Sequence, residues 1–183
     1  MKLAAFYYCT VCEQHAEFTD FSGRERVQCT GCGSLERHRK QALYLHRFTD
    51  VLTGARPIRV LHVAPEQCFS ALLRNRPNIT YVAADLNPRN RGGSAKNPII
   101  PADLCALPFD DESFDVIICS HVLEHIPADD DAMDELHRVL APDGVAILDV
   151  PLRHAASTYE DWSITSDEGR TACLLYTSDA ADD

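Results

Sequence analysis

Between residues 58 and 150 the chain alternates short apolar runs with stretches of helical pattern. Ile58–Val63 is apolar and β-branched, as a buried strand requires. Residues 66–75 read as a helix. Residues 79–84 read as a second strand, ending in Asp85. Residues 87–98, rich in Asn, Pro, Arg and Gly, read as loop. A short third strand is expected over 97–101, followed by Asp103, and Phe114–Ser120 is a fourth. Residues 129–140 are amphipathic, with Ala132, Met133, Leu136, Val139 and Leu140 on one face. Ala-Pro-Asp-Gly at 141–144 stops that helix, and 145–150 is a fifth strand. The alternation predicts an α/β architecture, a doubly wound, mostly parallel sheet with helices on both faces. Ligands of such sheets bind at the carboxyl ends of the strands.

The first third has a different pattern. Residues 34–52 carry apolar positions at 35, 42, 43, 45, 48, 51 and 52, with helical spacing from Ala42 onward. Ser34 is the expected N-cap. Residues 54–57, Gly-Ala-Arg-Pro, end the helix and mark a boundary. The expected organisation is a small unit over 1–33, a connecting helix over 34–56 and a core over 57–152.

Two cysteine pairs, Cys9-Thr-Val-Cys12 and Cys29-Thr-Gly-Cys32, stand sixteen residues apart. Two residues between cysteines let one tight turn point both sulfurs at one ion, and two such turns complete a tetrahedron of thiolates. Residues 1–33 therefore read as a zinc ribbon in which structural Zn2+ replaces the core that so few residues cannot build. Reduced buried cysteines or a redox pair are the other readings. His15 and His38 lie nearby as bystanders to a filled site.

Charge changes the picture only locally. The net charge is −11, with 9 Lys/Arg and 6 Asp/Glu in residues 1–59 against 8 and 22 in residues 60–183. The acidic part argues against broad phosphate binding. The basic stretch 37–47 reads as a solvated helix face, so a small-molecule partner is favoured over nucleic acid. No run is long enough to span a membrane, and the first residues lack the features of a signal peptide. The expected location is the cytoplasm.

The strand ends carry the chemistry. Glu66, Asp85 and Asp103 follow three successive strands, and Ser120-His121 follows the fourth. Carboxylates brought to one crevice repel unless a ligand offers donors and positive charge. These residues, with Leu-Pro-Phe at 107–109, Ser-Phe-Asp-Val-Ile at 113–117, Val-Leu-Glu-His-Ile at 122–126, Glu-Leu-His-Arg-Val-Leu at 135–140 and Pro-Asp-Gly at 142–144, resemble the class I S-adenosylmethionine-dependent methyltransferases of the type 11 branch. The resemblance covers about residues 58–151. Cys-Gly-Ser-Leu-Glu-Arg-His-Arg at 32–39 and Leu-His-Val-Ala-Pro-Glu at 61–66 resemble bacterial proteins that join a zinc ribbon to this domain.

The resemblance implies a Rossmann-like fold and transfer of a methyl group from S-adenosyl-L-methionine to an acceptor. It implies that Asp85, with Leu86 beside it, binds the ribose hydroxyls. Asp103, with Leu104, would bind adenine. The turn containing His62, Ala64 and Glu66 would pass beneath the methionine moiety, and Ser120 and His121 would line the methyl-transfer wall. His121 is the candidate general base, while His125 reads as a packed helix residue and Glu124 as facing solvent or a helix start. The family's first loop usually holds an acid and several glycines, whereas residues 61–70 contain no glycine. The cofactor carries no phosphate, so Glu66 can instead pair with its ammonium; capping its own helix is the alternative role. A non-catalytic ribbon module with a cofactor-binding-like domain is the alternative function.

Seven strands complete this fold, and only five can be read here. Residues 153–172 read as a substrate-side loop. Residues 173–183 resemble the translation of a sequencing adapter, so the chain is expected to be truncated and poorly soluble.

Overall fold

The computed structural model describes residues 6–91, 93–151, 161, 163 and 164. The expectations for the loop at 153–172 and the tail at 173–183 lie largely or wholly outside those residues.

The first unit is a three-stranded antiparallel sheet of β1 (Phe6–Cys9), β2 (Gln14–Phe21) and β3 (Arg24–Cys29). Cys9 closes β1 and Cys29 closes β3, so the sheet brings both knuckles to one end. α1 (Glu36–Phe48) follows. Five parallel strands then form the second sheet: β4 (Ile58–Val63), β5 (Ile79–Asp85), β6 (Ile99–Pro101), β7 (Phe114–Ser120) and β8 (Leu140–Asp149). Their order is β6-β5-β4-β7-β8. α2 (Gln67–Arg74) joins β4 to β5, and α3 (Asp129–Val139) joins β7 to β8. This is the doubly wound α/β sheet that the alternation implied, in the Rossmann-like form that the resemblance implied. The strand order reverses between β4 and β7, which places the ligand crevice of the topology there.

Strand alternation divides the core into two layers. Val60, Val116 and Ile118 pack with Ala42 and Leu45 of α1 and with Phe69, Leu72 and Leu73 of α2. Leu61, Val63, Ile117 and Cys119 pack with Ala132, Leu136 and Val139 of α3. The first layer also takes in Cys9, Val11, Ala16 and Cys29, so the knuckles share a core with the α/β unit.

Three local expectations are corrected. Ser34 does not cap α1. Leu35 is the N-cap, and its N–H donates to His38 Nδ1 at 2.9 Å, so a histidine fills the place of a capping-box acid. Ser34 is fully buried, its Oγ 3.2 Å from Cys9 Sγ and 3.1 Å from Cys32 Sγ. The basic face of α1 is not simply solvated. The Arg37 side chain is 10% exposed, and Arg39 donates to the carbonyls of Ser34 and Val27 while lying over the Phe18 ring. Finally, β8 begins at Leu140, so the Ala-Pro-Asp-Gly segment belongs to the strand.

Candidate functional site

Four thiols define the first site. Cys9 Sγ lies 3.7 Å from Cys32 Sγ, and Cys12 Sγ lies 3.9 Å from Cys29 Sγ. All four sulfurs fall within 4.8 Å of one another. Zn–S bonds of about 2.3 Å set tetrahedral sulfur–sulfur edges of about 3.8 Å, so the cluster fits an ion and is far too wide for disulfides. Each knuckle turns the same way. The residue after its second cysteine has a left-handed backbone, Glu13 at φ 57° and Gly33 at φ 74°. Its N–H donates to the carbonyl of the first cysteine at 2.8 Å in both knuckles. Burial alone pushes the Cys9 thiol up, but hydrogen bonds from Ser34 and the backbone bring it down to about 7. Burial and the neighbouring sulfurs push Cys12 up to about 12. A divalent ion relieves that crowding.

The second site is the row of strand ends. Ala64 follows β4 with φ 47°, a left-handed backbone at a residue that is not glycine. Its N–H donates to Ala84 O at 2.8 Å. The glycine-free loop thus adopts a glycine-like turn, at a steric cost of about 1–2 kcal/mol. Glu66 comes next and does not cap α2 through its side chain. Its Oε1 accepts from Arg37 Nη2 at 2.8 Å and lies 2.6 Å from His38 Nε2. Burial alone would raise this carboxyl, but the bonds and charges of His38 and Arg37 prevail and hold it at about 2. Glu66 Oε2 is buried with no hydrogen-bond partner among the described residues.

Asp85 closes β5, is 8% exposed, and accepts the Asn87 N–H at 2.6 Å. Leu86 beside it is 67% exposed. Asp103 is exposed after β6 and accepts the Cys105 N–H at 3.0 Å. Each aspartate therefore also holds its own turn. Leu104 is buried beneath. Glu135 and Arg138 of α3 fix the segment after Asp103. Glu135 accepts the Leu107 N–H at 2.7 Å, and Arg138 donates to the carbonyls of Leu107 and Phe109. The Glu-Leu-His-Arg motif thus serves the strand-end loop from a distance.

His62 is withdrawn from the crevice. It is fully buried, with its Nδ1 2.8 Å from the Tyr81 hydroxyl and its ring edge-on to Phe69. A direct contact with a ligand at the strand ends is therefore not the geometry found for this residue.

At β7 and β8 the strand ends meet α1. Gln41 Nε2 donates to Ser120 Oγ at 2.8 Å and to Asp149 Oδ2 at 2.7 Å. Lys40 Nζ donates to Asp149 Oδ1 at 2.9 Å. Burial would raise the Asp149 carboxyl, yet the bonds from Lys40 and Gln41 hold it below the usual range. His121 has φ 54°, and its N–H donates to Asp149 O. Its Nδ1 lies 3.4 Å from Oε1 of Glu124, in the 3-10 turn Leu123–His125. The Glu124 side chain is 11% exposed and stands in the first turn of that short helix, one of its two expected places, whereas His125, expected as a packed helix residue, is 49% exposed.

The sequence reasoning placed Asp85, Asp103, Glu66, Ser120 and His121 at the strand ends, as found. It missed Arg37, Lys40, Gln41, Glu124 and Asp149. The dense run of charge at 36–40 was the signal that α1 does more than cover a core.

Residues 64–148 match the family described as "Methyltransferase domain". Among curated proteins, the sterol 4-C-methyltransferase strm-1 of Caenorhabditis elegans is 41% identical over 59 residues, 32% of this chain and 18% of that protein. Among solved structures, the [4+2]-cyclase SpnF superposes with a TM-score of 0.53 at 19% identity, covering 81% of this chain and 57% of that one. A Galdieria sulphuraria protein described as a candidate sarcosine dimethylglycine methyltransferase gives 0.52 at 23%, covering 65% and 48%. The chain thus spans less than a fifth of that curated relative and about half of each of these two structures. No helix among the described residues is long and apolar enough to cross a membrane.

Proposed function

We propose that this chain is the cofactor-binding part of an S-adenosylmethionine-dependent methyltransferase, with a structural zinc ion in its ribbon. The observation that carries the reading is the run of Glu66, Asp85 and Asp103 beside the point where strand order reverses, with exposed Leu86 among them. Asp85 accepts the ribose hydroxyls, Leu86 packs on adenine, and Asp103 with Leu104 meets the adenine edge. Glu66 keeps a buried, donor-less Oε2 for the ammonium while Arg37 and His38 hold its other oxygen. S-adenosylmethionine supplies an activated methyl on a sulfonium, so positioning by the protein provides much of the acceleration. Ser120 and His121 form the wall on the acceptor side, with His121 placed to take a proton. The acceptor is a small molecule rather than a nucleic acid, because the surroundings of the crevice are acidic.

The test is calorimetry of S-adenosylmethionine and S-adenosylhomocysteine with the wild type and Asp85→Asn. Loss of the charged acceptor lowers affinity for both by about tenfold or more. Equal affinity in the variant removes Asp85 from the site. Binding by wild type without tritium transfer into any extract fraction supports the non-catalytic binding module instead.

A further inference from the structure

Glu124 is the unexplained residue of the crevice. Its carboxylate is almost wholly enclosed, and neither oxygen has a hydrogen-bond partner among the described residues. The nearest side-chain nitrogens are His121 Nδ1 at 3.4 Å and His125 Nε2 at 4.0 Å, and the latter ring is half exposed. A buried carboxylate without donors costs more than a hydrogen bond normally returns. It persists where a ligand completes it. Gln41 presents a second buried acceptor of the same kind, its Oε1, on the side chain whose amide is held by Ser120 and Asp149. Both groups adjoin the ends of β7 and β8: Glu124 stands in the short turn that follows β7, and Gln41 bonds Ser120 and Asp149 there. Each accepts hydrogen bonds, so a ligand that completes either one donates.

We propose that Glu124 is the acceptor-binding carboxylate, and that the methyl acceptor is an amine or alcohol presenting an N–H or O–H to it. This rests on the methyltransferase reading and narrows its substrate class. In the transfer, the lone pair of the acceptor nitrogen or oxygen forms the new bond to the methyl carbon. The carbon–sulfur bond breaks with its electron pair remaining on sulfur. The proton left on the methylated nitrogen or oxygen is taken up by Glu124 and passed on to His121, whose Nδ1 lies 3.4 Å away. Acceptors without an exchangeable proton, such as tertiary amines and thioethers, leave Glu124 unsatisfied and are poor substrates.

Sinefungin is the probe. It is the cofactor analogue that carries an amine-bearing carbon in place of the methyl-bearing sulfonium, so its ammonium projects toward the acceptor side. Calorimetry is run with sinefungin and S-adenosylhomocysteine on the intact chain and on Glu124→Gln. The wild type is expected to favour sinefungin by about tenfold or more. Glu124→Gln loses most of that preference and keeps its affinity for S-adenosylhomocysteine. A wild type with no preference for sinefungin overturns the proposal without any variant, and so does a preference that survives the substitution. If neither compound binds the wild type, the methyltransferase reading itself fails.

Discussion

Ala64 and His121 are the two residues at the crevice that hold left-handed backbones without being glycine. Such geometry at a non-glycine persists only where the surroundings determine it, and it concentrates at functional sites. At Ala64 the Ala84 carbonyl fixes the turn. The Ala64→Gly variant relieves the steric cost but gains freedom in the unfolded chain, so its stability stays within about 1 kcal/mol of wild type. Ala64→Val places a β-branched side chain where φ is positive and destabilises by about 2 kcal/mol or more. Urea denaturation of both variants checks this, and equal losses would mean that the backbone at 64 is not left-handed in solution.

Among elements, the strands of the main sheet were legible because parallel strands covered on both faces read as apolar runs. Ile58–Val63 and Phe114–Ser120 match the expected bounds. The cysteine knuckles were legible because metal geometry constrains spacing. The N-terminus of α1 was not. Ser34 has the right chemistry for a cap, but it is taken up by the thiols, and no local rule states that a distant sulfur outcompetes a nearby N–H. Nor could spacing show that Gln41 meets Ser120 and Asp149, or that Arg37 meets Glu66, since those partners are brought together only by packing. The ribbon should depend on its ion. Adding a strong chelator to the zinc-loaded chain is expected to lower the melting temperature by roughly 10 °C or more, given the binding energy of structural zinc. An unchanged melt would show four thiols packed without metal.

For the whole molecule, Glu66 couples the ribbon helix to the α/β unit, and that coupling depends on pH. Its carboxyl sits at about 2 in the folded state, below the ordinary value of 4.5. A depressed carboxylate contributes stability that is present above the unfolded value and lost as pH falls through the folded one. The contribution is about 3 kcal/mol at most. Urea midpoints should therefore fall between pH 5 and pH 2 in the wild type and fall less steeply in Glu66→Gln. Parallel curves would show that the Arg37–Glu66–His38 contact carries no net energy.

The contacts of Lys40 and Gln41 with Asp149 span 109 and 108 positions of the chain. During synthesis the ribbon and its helix leave the ribosome long before β8 exists. The knuckles can close early, but α1 cannot reach its final seat until Asp149 has emerged. Docking of α1 onto β8 is therefore a late event of biosynthesis, slowed by the loop that must close, and until then a preformed N-terminal anchor waits for the strand that will receive it.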